Sequence, residues 1–273
     1  MKLTVSIVLH QTDPVLIESV MHSLEKEPVS KVYVVDNSPD DRLHKVVGRF
    51  DNSEYLHIPN NGYGAAHNVA IRKAAGEGSD YHLVLNPDVR WFEPILNRLV
   101  DVMKADKNIA LIQPRILNAN GTLLHTCRLL PTPWDVFGKR FLPKSLFKSR
   151  LNRYLLPNYM YDREFNAVYM QGSFMLFDTK KLVETGLFDE RFFMYPEDID
   201  ITRRIRRRYS AHYYPQACVI HDHAAMSQRF GRMMWIHIVN MARYFNKYGW
   251  FCDKERRTMN RQLLETVEKL KDK

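Results

Sequence analysis

A chain of 273 residues that is 45% hydrophobic is long enough to bury a full core, long for one small domain and short for two independent ones, so one mixed domain with extensions is expected. Three cysteines, Cys127, Cys218 and Cys252, stand far apart with no metal-like spacing, which argues against a disulfide framework and points to a reducing compartment. The formal net charge of +9 is uneven: residues 1–135 carry 14 Lys/Arg against 16 Asp/Glu, and residues 136–273 carry 26 against 15, so the basic excess lies in the second half.

No run reaches the length of a membrane span, and the first ten residues lack the small-residue cleavage site of a signal peptide. They read as a buried strand instead. Leu3–Leu9 is apolar and rich in β-branched residues, Pro14–Leu24 has helical spacing, and Val32–Val35 is a second buried run ending at Asp36. Two more rounds follow, Tyr55–Ile58 with Ala65–Ala75 and Leu83–Leu85 with Pro94–Lys104. Apolar strands alternating with helices indicate a mainly parallel sheet covered on both faces.

In such sheets ligands bind beyond the carboxyl ends of the strands. Those ends carry His10, Asp36-Asn37-Ser38, Asn60-Asn61-Gly62 and Asn86-Pro87-Asp88. Each is an ordinary turn by itself; their convergence is the signal. Asp36-Asn37-Ser38 has side-chain oxygens able to read a base or ribose. The loop Asn60 to Asn68, with Gly62 and Gly64, enters a helix and suits a phosphate held by backbone N–H groups, although it fits neither a P-loop nor a Rossmann fingerprint. Asp88 reads either as a helix cap or, beside a nucleotide diphosphate, as a ligand for a hard divalent ion.

Further on, Phe192-Phe193-Met194-Tyr195-Pro196 delivers three acids, Glu197, Asp198 and Asp200, to a helix start. Acids there serve as caps; placed by an apolar run at the lip of a cleft, they also serve as proton acceptors with raised pKa. Ala211–Tyr214 and Ala217–Ile220 read as a short strand pair ending at His221-Asp222-His223. Both histidines are candidates for a metal or diphosphate contact, against the plainer reading of hydrogen-bonded surface residues.

Asp36-Asn37-Ser38, Asn61 to Asn68, Leu85-Asn86-Pro87-Asp88, Gln171 to Met175 and Phe188 to Asp200, in this order, resemble family 2 glycosyltransferases of the GT-A fold, nearest in kind to bacterial rhamnosyltransferases. The resemblance runs from residue 3 to about residue 245. It implies an α/β GT-A domain over residues 1–225, made of a nucleotide-sugar half (1–117), a basic insertion (118–166) and an acceptor half (167–225), with a helical extension over 226–273. It implies that His10, Asp36, Asn37, Asn61, Gly62, Asn68, Asn86 and Asp88 bind the donor, with Arg229 and Ser227 reaching the diphosphate. Asp88, with His221 or His223, would hold Mg²⁺ or Mn²⁺. Asn86 departs from the Asp-X-Asp motif at its first position, so the metal grip would rest on Asp88. Asp198 would be the catalytic base, Glu197 its modifier, and Asp200 a residue pointing away or capping the helix.

The implied reaction is inverting transfer of L-rhamnose from dTDP-L-rhamnose to a lipid-linked oligosaccharide acceptor for O-antigen or another surface polysaccharide, by a cytoplasmic protein peripheral to the inner face of the membrane. Alternatives are another donor (galactofuranose, mannose, N-acetylglucosamine), a non-catalytic nucleotide-sugar binder, or a nucleotidyltransferase.

Between Val136 and Tyr161 lie six basic residues and no acid, interleaved with aromatic and aliphatic side chains. This reads as a mobile flap meeting the acceptor or an anionic membrane surface. No nucleic-acid motif accompanies the charge. Five arginines between Ile201 and Tyr209 cannot all face the core, so most are expected solvated, paired or on phosphate. The apolar stripe from Phe230 to Tyr248, widened by Trp235, Ile236, Val239 and Tyr244, implies a second contact, with a partner subunit or the membrane, and residues 253–273 read as a solvated helix.

Overall fold

A computed structural model describes residues 1–141, 144–222 and 231–271. In chain order the elements are β1 (Leu3–Leu9), α1 (Pro14–Glu25), β2 (Lys31–Asp36), α2 (His44–Val47), β3 (Ser53–His57), α3 (Tyr63–Gly76), β4 (Tyr81–Leu85), β5 (Val89–Arg90), α4 (Leu96–Ala105), β6 (Ile109–Asn118), α5 (Pro133–Phe141), α6 (Lys144–Leu155), a 3₁₀ turn (Asn158–Asp162), β7 (Phe165–Asn166), β8 (Phe174–Asp178), α7 (Thr179–Thr185), α8 (Pro196–Ile205), β9 (Ser210–His221), α9 (Arg232–Tyr248) and α10 (Lys254–Lys271).

The strands form one sheet in the order β3-β2-β1-β4-β8-β6-β9-β5, with β7 also on β9. β3, β2, β1 and β4 are parallel, as their apolar runs imply. β8 enters antiparallel between β4 and β6, and β9 returns parallel to β6. The sheet is therefore mixed.

Local chemistry sets the elements. α1 starts where Asp13 accepts from the Val15 N–H at 3.0 Å, with Pro14 already holding a helical φ. One sheet face packs Leu3, Val5 and Ile7 with α1 and α4; the other packs Val84, Met175 and Phe177 with the 118–166 insertion and the C-terminal helices. α3 meets Tyr33 and Val35 through Ala66, Ala70 and Ala74, whose small side chains let it lie close to the sheet.

Three sequence expectations change. Ala211–Tyr214 and Ala217–Ile220 are not a strand pair but one strand, β9, whose register on β6 jumps from Pro114↔Tyr214 to Arg115↔Cys218. Pro215, lacking an N–H, sits in the resulting bulge. The insertion is not an open loop: α5, α6 and the 3₁₀ turn fold onto the body, and Cys127, Leu130, Leu156, Met160 and Tyr161 join the main core. The helix expected over 253–273 is half-buried, with Met259, Leu263 and Val267 in that core.

Candidate active site

The ends of β1, β2 and β3 are laced together. Asn37 N–H donates to Leu9 O at 2.9 Å, Gln11 N–H to Ser38 Oγ at 2.7 Å, and Ile58 N–H to Asp36 O at 3.0 Å. Asp36 is fully buried; its Oδ1 accepts from Ser38 N–H at 2.8 Å and its Oδ2 from the Tyr55 hydroxyl at 2.7 Å. Its carboxylate thus shapes the turn. The Asn37 side-chain oxygen is buried with no hydrogen-bond partner among the described residues, an acceptor left for a ligand. His10 is exposed at the same edge, its Nδ1 3.0 Å from Asn37 O.

Asn61 is exposed, whereas Gly62 is buried with φ of +105°, and a Cβ there would collide with the Phe193 carbonyl. Tyr63 N–H donates to that carbonyl at 2.9 Å. A Cβ on Gly64 would fall 2.9 Å from Phe188 Cβ. The two glycines therefore let the 188–197 segment lie directly on the start of α3. Asn68 is buried and its amide is committed to that segment: Nδ2 donates to Phe188 O and Glu190 Oε1, both at 2.9 Å, and Oδ1 accepts from Phe188 N–H at 3.0 Å. Its place is beneath the site rather than in the opening.

Tyr63 carries the link across the cleft. Its single hydroxyl proton is shared between Asn86 Oδ1 at 2.9 Å and Gly172 O at 2.7 Å, while Gly172 N–H donates to Asp198 Oδ2 at 3.0 Å. β8 makes this possible by bringing Ser173 O to Asn86 N–H at 2.9 Å. Behind Tyr63 a buried ladder joins α3 to the sheet: Thr4 Oγ1 to His82 Nδ1 (2.8 Å), His82 Nε2 to Ser6 Oγ (2.9 Å), and Ser6 Oγ to His67 Nδ1 (2.7 Å). Burial lowers both imidazoles' pKa, that of His82 to about 3, so both are neutral.

Asp88 and His221 meet at 3.1 Å (Oδ1 to Nε2), because β5 pairs Val89 with His221 and Asp222 N–H donates to Asp88 O at 2.9 Å. A carboxylate and an imidazole at this spacing fit one divalent cation whose remaining positions fall to water and diphosphate oxygens. Among the described residues no group of three His, Cys, Asp or Glu forms a metal cage. His223, Ser227 and Arg229 lie outside the described residues.

Glu197 and Asp198 are buried in the first turn of α8, and Tyr195 before them adopts φ of +91°, a strained conformation for a non-glycine residue. Burial raises the Asp198 carboxyl to about 7, against the opposing N–H groups of Gly172 and Ile199 and the charge of Arg128. Burial, then the charge of Asp198, raises Glu197 further above its usual range. Two adjacent buried acids share too little solvation to ionise together readily.

Asp200 faces α9 rather than Gly172, as a structural acid. It is fully buried and bound to Arg204, Lys247 and Tyr248. The arginine run behaves as expected in part: Arg203 and Arg207 pair with Glu255, and Arg203 also with Asp253, but Arg203 is buried rather than solvated. Tyr63, Gly172 and Arg128 were not singled out by the sequence. Tyr63 lies between Gly62 and Gly64, and Gly172 within Gln171-Gly172-Ser173, inside the very motifs quoted; Arg128 carries no local signal.

A mixed sheet whose parallel half ends in a polar edge, with a buried acid pair tied to that edge through Gly172 and Tyr63, agrees with a glycosyltransferase of the GT-A fold. The chain belongs to Glycosyl transferase family 2, matched over residues 4–177. Asp198 lies beyond the matched stretch. The chain is 28% identical over 219 residues to the N-acetylglucosaminyl-diphospho-decaprenol L-rhamnosyltransferase of Mycobacterium tuberculosis, covering 75% of this chain and 70% of that protein. It is 25% identical over 222 residues to the rhamnosyltransferase WbbL of Escherichia coli, covering 78% and 81%. Its fold superposes on GalNAc-T7, solved with UDP, GalNAc and Mn²⁺, at a TM-score of 0.64 and 14% identity, covering 91% of this chain and 50% of that one. The chain thus spans half of that solved structure.

Proposed function

We propose that the protein is an inverting glycosyltransferase that moves L-rhamnose from dTDP-L-rhamnose onto a lipid-linked glycan precursor, working as a peripheral protein at the cytoplasmic face of the membrane. The observation that carries the catalytic half is the buried Asp198 carboxyl, raised to about 7 and tied through Gly172 and Tyr63 to Asn86, two residues from Asp88. The donor and acceptor rest on the similarity to the two rhamnosyltransferases, one of which is named for a lipid-diphosphate substrate.

In this reading the nucleoside lies along His10, Asn37 and Asn61, with the unpartnered Asn37 oxygen accepting from the base or ribose. Asp88 and His221 would hold Mg²⁺ or Mn²⁺, which when bound would neutralise charge on the diphosphate. Asp198 accepts the proton of the acceptor hydroxyl as that oxygen attacks the anomeric carbon from the face opposite the diphosphate, so configuration inverts. A pKa near 7 suits that transfer at neutral pH. Glu197, the partner that stays protonated, donates a hydrogen bond that orients the acceptor.

Trp235 and Val239, one turn apart on α9 and 64% and 45% exposed, support contact with an anionic membrane surface, alongside the basic second half. No described helix is long and apolar enough to cross a membrane. A dimer through α9 would instead show a concentration-dependent mass in sedimentation.

A thermal-shift screen of nucleotide sugars with Mg²⁺ or Mn²⁺ tests the donor, because a ligand of the folded state raises the midpoint with its concentration over Kd. dTDP-L-rhamnose should give the largest rise. A larger rise with a UDP- or GDP-sugar would reassign the donor, and a rise without transfer or hydrolysis would make the protein a non-catalytic binder.

A further inference from the structure

The insertion and the C-terminal helix enclose a cleft of about 710 Å³ apart from the nucleotide edge. Its walls are pinned: Asn260 clasps Leu130 through N–H and C=O at 2.8 and 2.9 Å, and the Tyr159 hydroxyl donates to Val267 O at 3.1 Å. Five arginines line it against three acids. Arg150 pairs with Asp135 at 2.7 Å and Arg261 with Glu265 at 3.9 Å. Arg153, Arg256 and Arg257 form no ion pair among the described residues, and only Glu268 remains as an uncompensated acid, so the cleft is net cationic.

Arg256 is the most telling of the three. It is 4% exposed, and its guanidinium donates only to the carbonyls of Pro131 (3.2 Å) and Trp250 (3.1 Å). Burial lowers its pKa, and the charges of Asp253 and Asp135, held by Arg203 and Arg150, offset that only in part. Trp134 and Phe251, 56% and 63% exposed, stand on the same walls and give the cleft an apolar rim. Tyr154 connects the cleft to the chemistry: it lines the cavity, and the charges of Arg128, Asp135 and Asp198 all reach its hydroxyl, whose pKa burial chiefly raises to about 12.

We propose that this cleft receives the diphosphate and first prenyl units of the acceptor, with Arg153 and Arg257 on the phosphates, the buried charge of Arg256 behind them, and Trp134 and Phe251 against the chain. The proposal rests on the lipid-linked acceptor reading above. A phosphate group between paired guanidiniums gains charge-assisted hydrogen bonds, and an amphipathic anion matches a cationic floor with an aromatic rim. The diphosphate of such an acceptor adjoins its first sugar, so a lipid seated here would carry that sugar toward the Asp198 side of Tyr154.

The test uses the full chain in vesicle flotation and in transfer. Phosphatidylcholine vesicles carrying a polyprenyl diphosphate are compared with vesicles carrying phosphatidylglycerol at equal charge. The wild type should prefer the diphosphate lipid, and R153Q/R257Q should lose that preference by about tenfold or more, as for lost charged hydrogen bonds, with KM for the nucleotide sugar unchanged. Equal binding to both vesicles, or a preference kept in the folded double variant, would overturn the proposal. Should the double variant not fold, R153Q and R257Q are taken singly: a weakened preference in either supports the cleft, and a preference kept in both refutes it. Wild type that binds the diphosphate vesicles yet transfers nothing to a polyprenyl diphosphate sugar would refute the acceptor reading alone. Transfer with an unaltered acceptor KM in R153Q/R257Q would refute the cleft alone.

Discussion

Asp200→Asn separates a structural acid from a catalytic one. Asp200 Oδ1 accepts from Lys247 Nζ at 2.5 Å and the Tyr248 hydroxyl at 2.6 Å, and Oδ2 from Arg204 Nε at 2.7 Å, all around a fully buried carboxylate. Breaking one side of a buried charge network costs about 3–5 kcal/mol. Here each cation keeps a partner: Lys247 holds Asp189 at 2.8 Å, and Arg204 donates to Thr185 O at 2.6 Å and to Leu187 O. The loss is therefore placed near the lower figure, about 3 kcal/mol. At roughly 2–4 °C per kcal/mol for a chain of this size, Tm should fall by about 6–12 °C. Urea unfolding and calorimetry read the loss, and kcat per folded molecule should stay within about threefold, under ~1 kcal/mol of barrier. A variant with unaltered Tm and abolished transfer would refute the reasoning, since Asp200 would then act in the chemistry.

Other consequences are as direct. kcat/KM should rise about tenfold per pH unit below pH 7 and level off above it, because Asp198 must shed its proton to act and its carboxyl is raised to about 7; a flat profile from pH 5 to 8 contradicts the base assignment. The same raised pKa makes the free protein lose stability as pH climbs from about 4 to about 7, where the unfolded chain has already shed the proton that the folded carboxyl keeps, and level off above it. His67 and His82 act at the other end: their folded pKa values are depressed, so their contribution is intact above about pH 6.5 and falls by about 1.4 kcal/mol per pH unit per imidazole below it. His82→Gln should flatten the fall in urea midpoint between pH 6.5 and 4.5, and an unchanged slope counts against the buried ladder. Gly62→Ala, with a Cβ forced against the Phe193 carbonyl at positive φ, should cost about 1–3 kcal/mol and lower transfer more than stability, because it pushes the 188–197 segment away from α3; wild-type kcat would show that the two loops do not need this contact.

The parallel half of the sheet was legible because each strand is a short apolar run closed by a polar turn, and that alone placed Asp36, Asn37, Asn86 and Asp88 on one edge. What escaped were non-local pairings. Nothing in Phe174–Asp178 says that it slots antiparallel between β4 and β6, yet that insertion brings Gly172 to both Tyr63 and Asp198. Ala211–Tyr214 and Ala217–Ile220 read as two strands, and only the register on β6 joins them into one strand with Pro215 in a bulge. Asp200 looked like a cap because its partners, Lys247 and Tyr248, lie 47 and 48 positions away on α9. Asp36 was legible as important, but its oxygens turn out to build the loop, leaving Asn37 as the free acceptor. The cationic cleft was half visible: Arg150 and Arg153 belong to the basic run between Val136 and Tyr161, while Arg256 and Arg257 come from a helix read as solvated.

The central claim is that Asp198 is the proton acceptor in sugar transfer. Asp198→Asn, nearly isosteric, keeps an acceptor for the Gly172 N–H, so the fold and the donor-induced rise in Tm should survive. Transfer from dTDP-L-rhamnose to a polyprenyl diphosphate sugar should fall by about 10²–10⁴-fold, the range for loss of a general base. Transfer near the wild-type rate in a folded, donor-binding Asp198→Asn protein would contradict the account.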